Sequence, residues 1–166
     1  MPVTHSRIAR TEHPVDVVEQ IAAGNAWSFD REDDDEISIT VGGGWTDYHV
    51  AFTWLADVEA LHLGCAFDLR VAERNRGELQ KLITLINAQL WIGHFGHWEQ
   101  EKVILFRHSI ILAGGTAPSR SQCEAALQAA IAACERYYQC FQFVLWSGKT
   151  AQEAMDAAMF ETVGEA

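Results

Sequence analysis

Residues 78–98 read ELQKLITLINAQLWIGHFGHW, and the fold turns on how they are parsed. Leu79, Leu82, Ile83, Ile86 and Leu90 recur at the spacings that put side chains on one buried helical stripe. Gly93 and Gly96 then withdraw helix support twice, each at about 1 kcal/mol relative to alanine in a helix interior. The stretch therefore predicts a helix from about Glu73 to Ile92 and a strand entered near Phe95. The chain before this stretch reads as strands, and the chain beyond it soon returns to helix.

Working upstream, Leu61, Leu63, Cys65, Phe67 and Leu69 alternate with smaller residues, and Tyr48, Val50, Phe52 and Trp54 do the same. Both runs have the period of a half-buried strand. Ile37, Ile39 and Val41 form a third such run and Trp27 with Phe29 a fourth. Gly42-Gly43-Gly44 is expected to reverse the chain through positive φ, and the acidic run DREDDDE at 30–36 to serve as a turn. Consecutive strands with short connections predict an antiparallel meander. Its second face, holding Asp47, His49, Ala51, Thr53, His62, Gly64, Ala66, Asp68 and Arg70, is polar or small and predicted to be solvated. Before the strands, Pro14 suits a helix start and Gly24-Asn25 its stop, around Val17, Val18, Ile21 and Ala22. Residues 1–11 carry no periodicity and are expected to form a flexible arm.

Working downstream, residues 95–99 and 103–112 predict a second hairpin. In VILFRHSIIL both alternate sets are apolar apart from Arg107, His108 and Ser109, so a central strand covered on both faces for part of its length is expected, with His108 buried. From Ser119 to Trp146 there is neither glycine nor proline. Ser119-x-x-Gln122 and Ser121-x-x-Glu124 both match a capping box. The apolar stripe widens toward YYQCFQFVLW, as in a helix with more than one buried neighbour. Gly148 stops it, Thr150-x-x-Glu153 caps a short helix, and the last residues of the 150–166 segment are expected to fray. Asn87 and Gln89, polar among apolar neighbours, either fix a helix-pair register or satisfy the backbone where the helix unwinds; we read the second.

The 166 residues make one domain, long enough for a core without disulfides or metal. A net charge of -11 sets the chain against nucleic acid and anionic membrane surfaces. With no apolar run long enough to span a bilayer and no secretory h-region, a cytoplasmic protein is expected. Cys65, Cys123, Cys134 and Cys140 form no C-x-x-C pair and read as buried free thiols. His94-x-x-His97 tempts a metal reading, but positions three apart on a strand face opposite sides, so no metal is assigned. The glycines and aspartates match no nucleotide or calcium motif, and no cofactor is assigned.

Several stretches carry a family resemblance: Trp27-Ser-Phe, Ala60-Leu-His-Leu, Phe67-Asp-Leu-Arg, Ile86-Asn-Ala-Gln-Leu-Trp-Ile-Gly-His-Phe, Phe106-Arg-His and Phe141-Gln-Phe-Val-Leu-Trp-Ser-Gly-Lys. With the order helix, meander, helix, hairpin, long helix, the chain resembles the YbjN family, bacterial proteins described as sensory transduction regulators. Their fold is similar to that of class I type III secretion chaperones, small dimeric α+β proteins that hold a partner segment. The resemblance implies a homodimer and a protein-binding role, and carries over no catalytic residue.

The expectation is thus an α+β domain, an antiparallel meander with helices mainly on one face. Its function is expected to be non-enzymatic protein binding by a cytoplasmic homodimer, with a chaperone-like or regulatory role. The surplus apolar surface of the 119–146 helix and the small-residue sheet face would supply the contacts. The alternative is a small-ligand sensor or enzyme with an aromatic pocket under the helices, lined by Trp45, Trp54, Trp91 or Trp146 and reaching His49, His62 or His108. Candidate interface or pocket residues are His49, His62, Trp91, His94, His108, Tyr138, Phe141 and Trp146.

Overall fold

A computed structural model of the chain describes residues 9–164. Helix α1 (Pro14–Gly24) opens it. His13 caps it, its Nδ1 accepting the Val15 N–H at 3.1 Å, with Pro14 as the first helical residue. Strands β1 (Ser28–Asp33), β2 (Glu36–Gly42), β3 (Asp47–Leu55) and β4 (Ala60–Phe67) come next as a meander. Helix α2 (Arg76–Asn87), reached through a short 3-10 turn, leads to the hairpin β5 (His94–Trp98) and β6 (Val103–Ile111). Helices α3 (Arg120–Leu145) and α4 (Ala151–Gly164) complete the described residues. Of the expected arm, residues 1–8 lie outside those described, as do residues 165 and 166 of the tail.

The six strands form one antiparallel sheet in the order β1-β2-β3-β4-β6-β5. Alternation decides the layers. Ile39, Val50, Cys65, Phe106 and Phe95 occupy one row across five strands, and all are buried. Helices α1, α2 and α3 cover this face, and α4 packs on α2 and α3. Phe141 on α3 packs against Phe67 and Phe95, with ring centroids 5.6 and 5.3 Å apart. Each such buried ring contributes about 2–3 kcal/mol. The fold is α+β with the helices on one face.

Four sequence expectations need correction. Helix α2 ends at Asn87, five residues before the Ile92 expected. The Asn87 side chain leaves the helix to bond Phe95 instead, donating to its carbonyl at 3.0 Å and accepting its N–H at 2.8 Å. Gly93 sits later, at φ +68, where a Cβ would also run into the Phe106 ring.

The acidic run is mostly strand, with a turn only at 34–35. Arg31 makes this tolerable: it donates to Asp16 and Glu19 on α1 at 3.0 and 3.2 Å, and to the carbonyls of Asp33 and Asp34.

The triple glycine does not use positive φ. Gly43 is required by proximity, since a Cβ there would collide with the Glu135 carboxylate and the Tyr48 ring. Glu135 accepts the Gly44 N–H at 2.7 Å, tying the β2–β3 loop to α3.

Strand β6 is interior to the sheet but covered on one face only, and Ile111 is 76% exposed.

Of the two candidate caps on α3, Ser119 with Gln122 is the box that forms, and Thr150 with Glu153 caps α4. Glu78 on α2 accepts the Ala151 N–H at 2.9 Å, which seats α4 against α2. Arg10 is held firmly at the N-terminal end of the described chain. Its guanidinium donates to Glu59 and to the Leu112 carbonyl, both at 2.7 Å, and to the Thr116 carbonyl at 3.2 Å, and lies 4.4 Å over the Trp54 ring. All four cysteines are buried and free; Cys65 Sγ and Cys134 Sγ stand 3.6 Å apart between sheet and α3.

Candidate functional site

The sheet face away from the helices stays open, and the period-2 reading identifies its occupants. Ser38, Ala51, Gly64, Arg107 and His94 make one row; Thr40, His49, Ala66, Leu105 and Gly96 make the next. Small residues on β2, β3, β4 and β5 leave a floor, over which Leu105, Trp98, His49, His62 and Arg107 stand as walls. The result is a trough of 570 Å³. Trp98 is 51% exposed, and Leu55 and Ile111 are exposed at the far end. Gly64 sets the depth: a Cβ there would come within 3.4 Å of the Leu105 side chain.

His62 is the best-defined polar group on this face. Its Nδ1 lies 2.9 Å from Ser109 Oγ, and its Nε2 accepts from Arg107 Nε at 3.4 Å. Partial burial, then Arg107, His94 and His108, hold its pKa below the ordinary histidine value. Accepting from Arg107 requires a neutral ring with its proton on Nδ1. His94 is exposed and opposite Arg107 in the ladder. His49 Nε2 stands 3.8 Å from Asp68 Oδ2, both side chains exposed.

His108 corrects an expectation. It is half-buried, lining a depression with Leu55, His94 and Ser109 at the sheet's end, where β6 outruns the helical layer. Burial, with a contribution from His94, lowers its pKa too.

The remaining candidates divide. Tyr138 and Phe141 are core, not interface: Tyr138 stacks on Trp45 at 6.4 Å and meets Phe67 edge-on at 5.4 Å. Trp91, 86% exposed, rims a groove between residues 89–92 and the Ala129, Ala132 and Ala133 side of α3. Trp146 ends α3 and is 66% exposed. The four tryptophans named for a shared pocket are therefore scattered. Trp54 sits under Arg10 and His13, and Trp45 lies over α3. Helix α3 offers less apolar surplus than its sequence suggests, because α1, α2, α4, β4 and β6 pack around it. The sheet carries exposed apolar side chains of its own, Trp98, Leu55 and Ile111, on the face away from the helices. Sequence reading missed Arg107, Trp98 and Ile111 there, although alternation along β6 puts Leu105, Arg107, Ser109 and Ile111 together.

Chemically the open face can bind and can exchange protons. His94 and His97 lie on opposite sides of β5, and among the described residues no three His, Cys, Asp or Glu side chains stand close enough to hold a metal. The only thiols are buried on the other side. No described helix is long and apolar enough to cross a membrane.

An antiparallel sheet with one face under helices and one left open defines a class of α+β domains, and the comparisons give it a family. The chain belongs to the YbjN family, described as "Putative bacterial sensory transduction regulator", which it matches over residues 14–143. A solved structure, the crystal structure of the ExsC–ExsE complex, is similar at TM-score 0.50 and 16% identity, covering 74% of this chain and 88% of that one. That likeness shows the fold, the α+β architecture expected from the resemblance. No curated protein matches the chain.

Proposed function

We propose that the chain is a non-enzymatic, cytoplasmic homodimer that binds another protein in a chaperone-like or regulatory role. The observation that carries this reading is the open sheet face, where Trp98, Leu55 and Ile111 stand exposed around a small-residue floor. Exposed apolar surface gathered on one face is a mark of an interaction site. The family's description as a regulator supports it, as does a structural neighbour whose coordinates hold a complex. The homodimer rests on the family resemblance and on Trp91, exposed beside its alanine-lined groove.

Sedimentation of the full chain tests the assembly: twice the 18.5 kDa chain mass is expected. Affinity purification from the native cell tests the partner, and a specific polypeptide should be retained. A monomer that retains no polypeptide overturns the reading. The second reading, a small-ligand sensor, has one observation behind it: the 570 Å³ trough falls within the size range of ligand sites. A bound small molecule released on denaturation would favour it.

A further inference from the structure

The open face carries a guanidinium whose hydrogen bond goes to an imidazole rather than to a carboxylate. The chain has 23 acidic and 12 basic residues, and Arg10, Arg31, Arg76 and Arg120 each meet a carboxylate. Arg107 makes no ion pair among the described residues; its Nε donates to the neutral His62 ring. His94 flanks it on β5. The acidic groups of this face stand apart from it. Glu36 is two strands from His62 in the row Glu36, Thr53, His62, Ser109, and Asp30 is four strands from Arg107 in the row Asp30, Ser38, Ala51, Gly64, Arg107. Asp47 begins β3 at its far end, and Asp68 lies beside His49.

Along β6 the face reads apolar, basic, apolar. Trp98 and Leu105 mark one end, Arg107 with His62 and His94 the middle, and Ile111 with Leu55 the other end. The strand covers eight steps, about 26 Å at ~3.3 Å each. That exceeds a drug-sized molecule but suits about eight extended residues, or about seventeen in a helix. A second copy turned about an axis through the middle of the face would set Arg107 and the imidazoles against their own equivalents. Strand addition at the β5 edge is opposed at Phe95, whose N–H and C=O Asn87 already holds.

We propose that this face receives a polypeptide segment of apolar–acidic–apolar pattern, its carboxylate lying between the Arg107 guanidinium and the His62 imidazole. This rests on the protein-binding reading and names the surface and the partner's chemistry. A carboxylate there gives His62 the counter-charge it lacks, so binding takes up a proton. Arg107 on β6 and His94 on β5 face His62, His108 acts on it from the other face of β6, and its β3 neighbour is Thr53; none is a carboxylate. Binding therefore tightens as pH falls, by up to about tenfold for each pKa unit the partner restores to His62.

The test selects random peptides of about twelve residues, enough to span the face at ~3.3 Å each, on the immobilised full chain. Selected peptides are then titrated against the wild type, Arg107→Gln, His62→Gln and Ile111→Ser, with circular dichroism confirming that each variant is folded. We expect peptides carrying Asp or Glu between apolar residues. Arg107→Gln should weaken them by about tenfold or more, Ile111→Ser should weaken them less, and His62→Gln should flatten the pH dependence. Peptides without a carboxylate, or binding Arg107→Gln and wild type alike, overturn the proposal while leaving protein binding standing. N-acetylglutamate binding as tightly as the peptides also overturns it. If no peptide is selected, Arg107→Gln is run in the native-cell purification: loss of the retained polypeptide supports the proposal, and equal retention overturns it alone. No retained polypeptide with either protein overturns both readings.

Discussion

The Asn87 carboxamide pairs with both backbone groups of Phe95, donating to its carbonyl at 3.0 Å and accepting from its N–H at 2.8 Å. One side chain thus does at Phe95 what a seventh strand would do along the β5 edge. It ends α2, places the loop at 88–93, and withdraws two hydrogen-bonding groups from the sheet margin.

Asn87→Ala should cost about 2–3 kcal/mol, because it leaves partly buried backbone groups unpartnered. Asn87→Asp should do no better, since a carboxylate would face the Phe95 carbonyl. Urea denaturation measures both, and size-exclusion profiles should show added self-association from the freed edge.

Two glycines should respond in opposite directions. Gly43→Ala forces a Cβ onto Glu135 and Tyr48 and should destabilise by about 1–3 kcal/mol. Gly77→Ala meets nothing within 4 Å in the first turn of α2 and should stabilise by about 0.5 kcal/mol. Thermal midpoints of the two variants are a direct comparison.

Stability should fall on mild acidification. Burial holds His62 and His108 below the ordinary histidine value of 6.5, so the unfolded chain binds protons that the folded one refuses. Their contribution is complete above pH 6.5 and is lost as pH falls through the lower folded values. Urea midpoints across this range should show the decline, and the double variant His62→Gln, His108→Gln should flatten it.

The four thiols should resist a disulfide reagent in the native state. Burial pushes Cys123 and Cys140 up to about 11, and the Cys65 thiol with burial raises Cys134 as well. Since the thiolate is the reactive form, labelling should need unfolding, and its rate should track the global unfolding rate.

Local pattern made most of the scaffold legible. Alternation in 47–55 and 60–67, Pro14, the Ser119 and Thr150 caps and the 95–112 hairpin are all short-range signals. What escaped was set by distant partners. Gly43 is small because Glu135 arrives from α3. Residues 30–33 can be strand because Arg31 finds two carboxylates on α1. Tyr138 and Phe141 look like spare apolar surface until Phe67 and Trp45 are placed against them. The small-residue face was readable in sequence. The position of Arg107 within it depended on the β4–β6 pairing, which joins strands separated by a helix.

The clamp around Arg10 bears on how this protein should be handled. Anchored to Glu59 and to the carbonyls of Leu112 and Thr116, Arg10 fixes where anything attached ahead of it departs. Leu112, whose carbonyl Arg10 holds, directly follows Ile111 in the chain. A purification tag or fluorescent fusion placed there would crowd the surface a binding assay is meant to probe, and the opposite terminus is the better place for a handle.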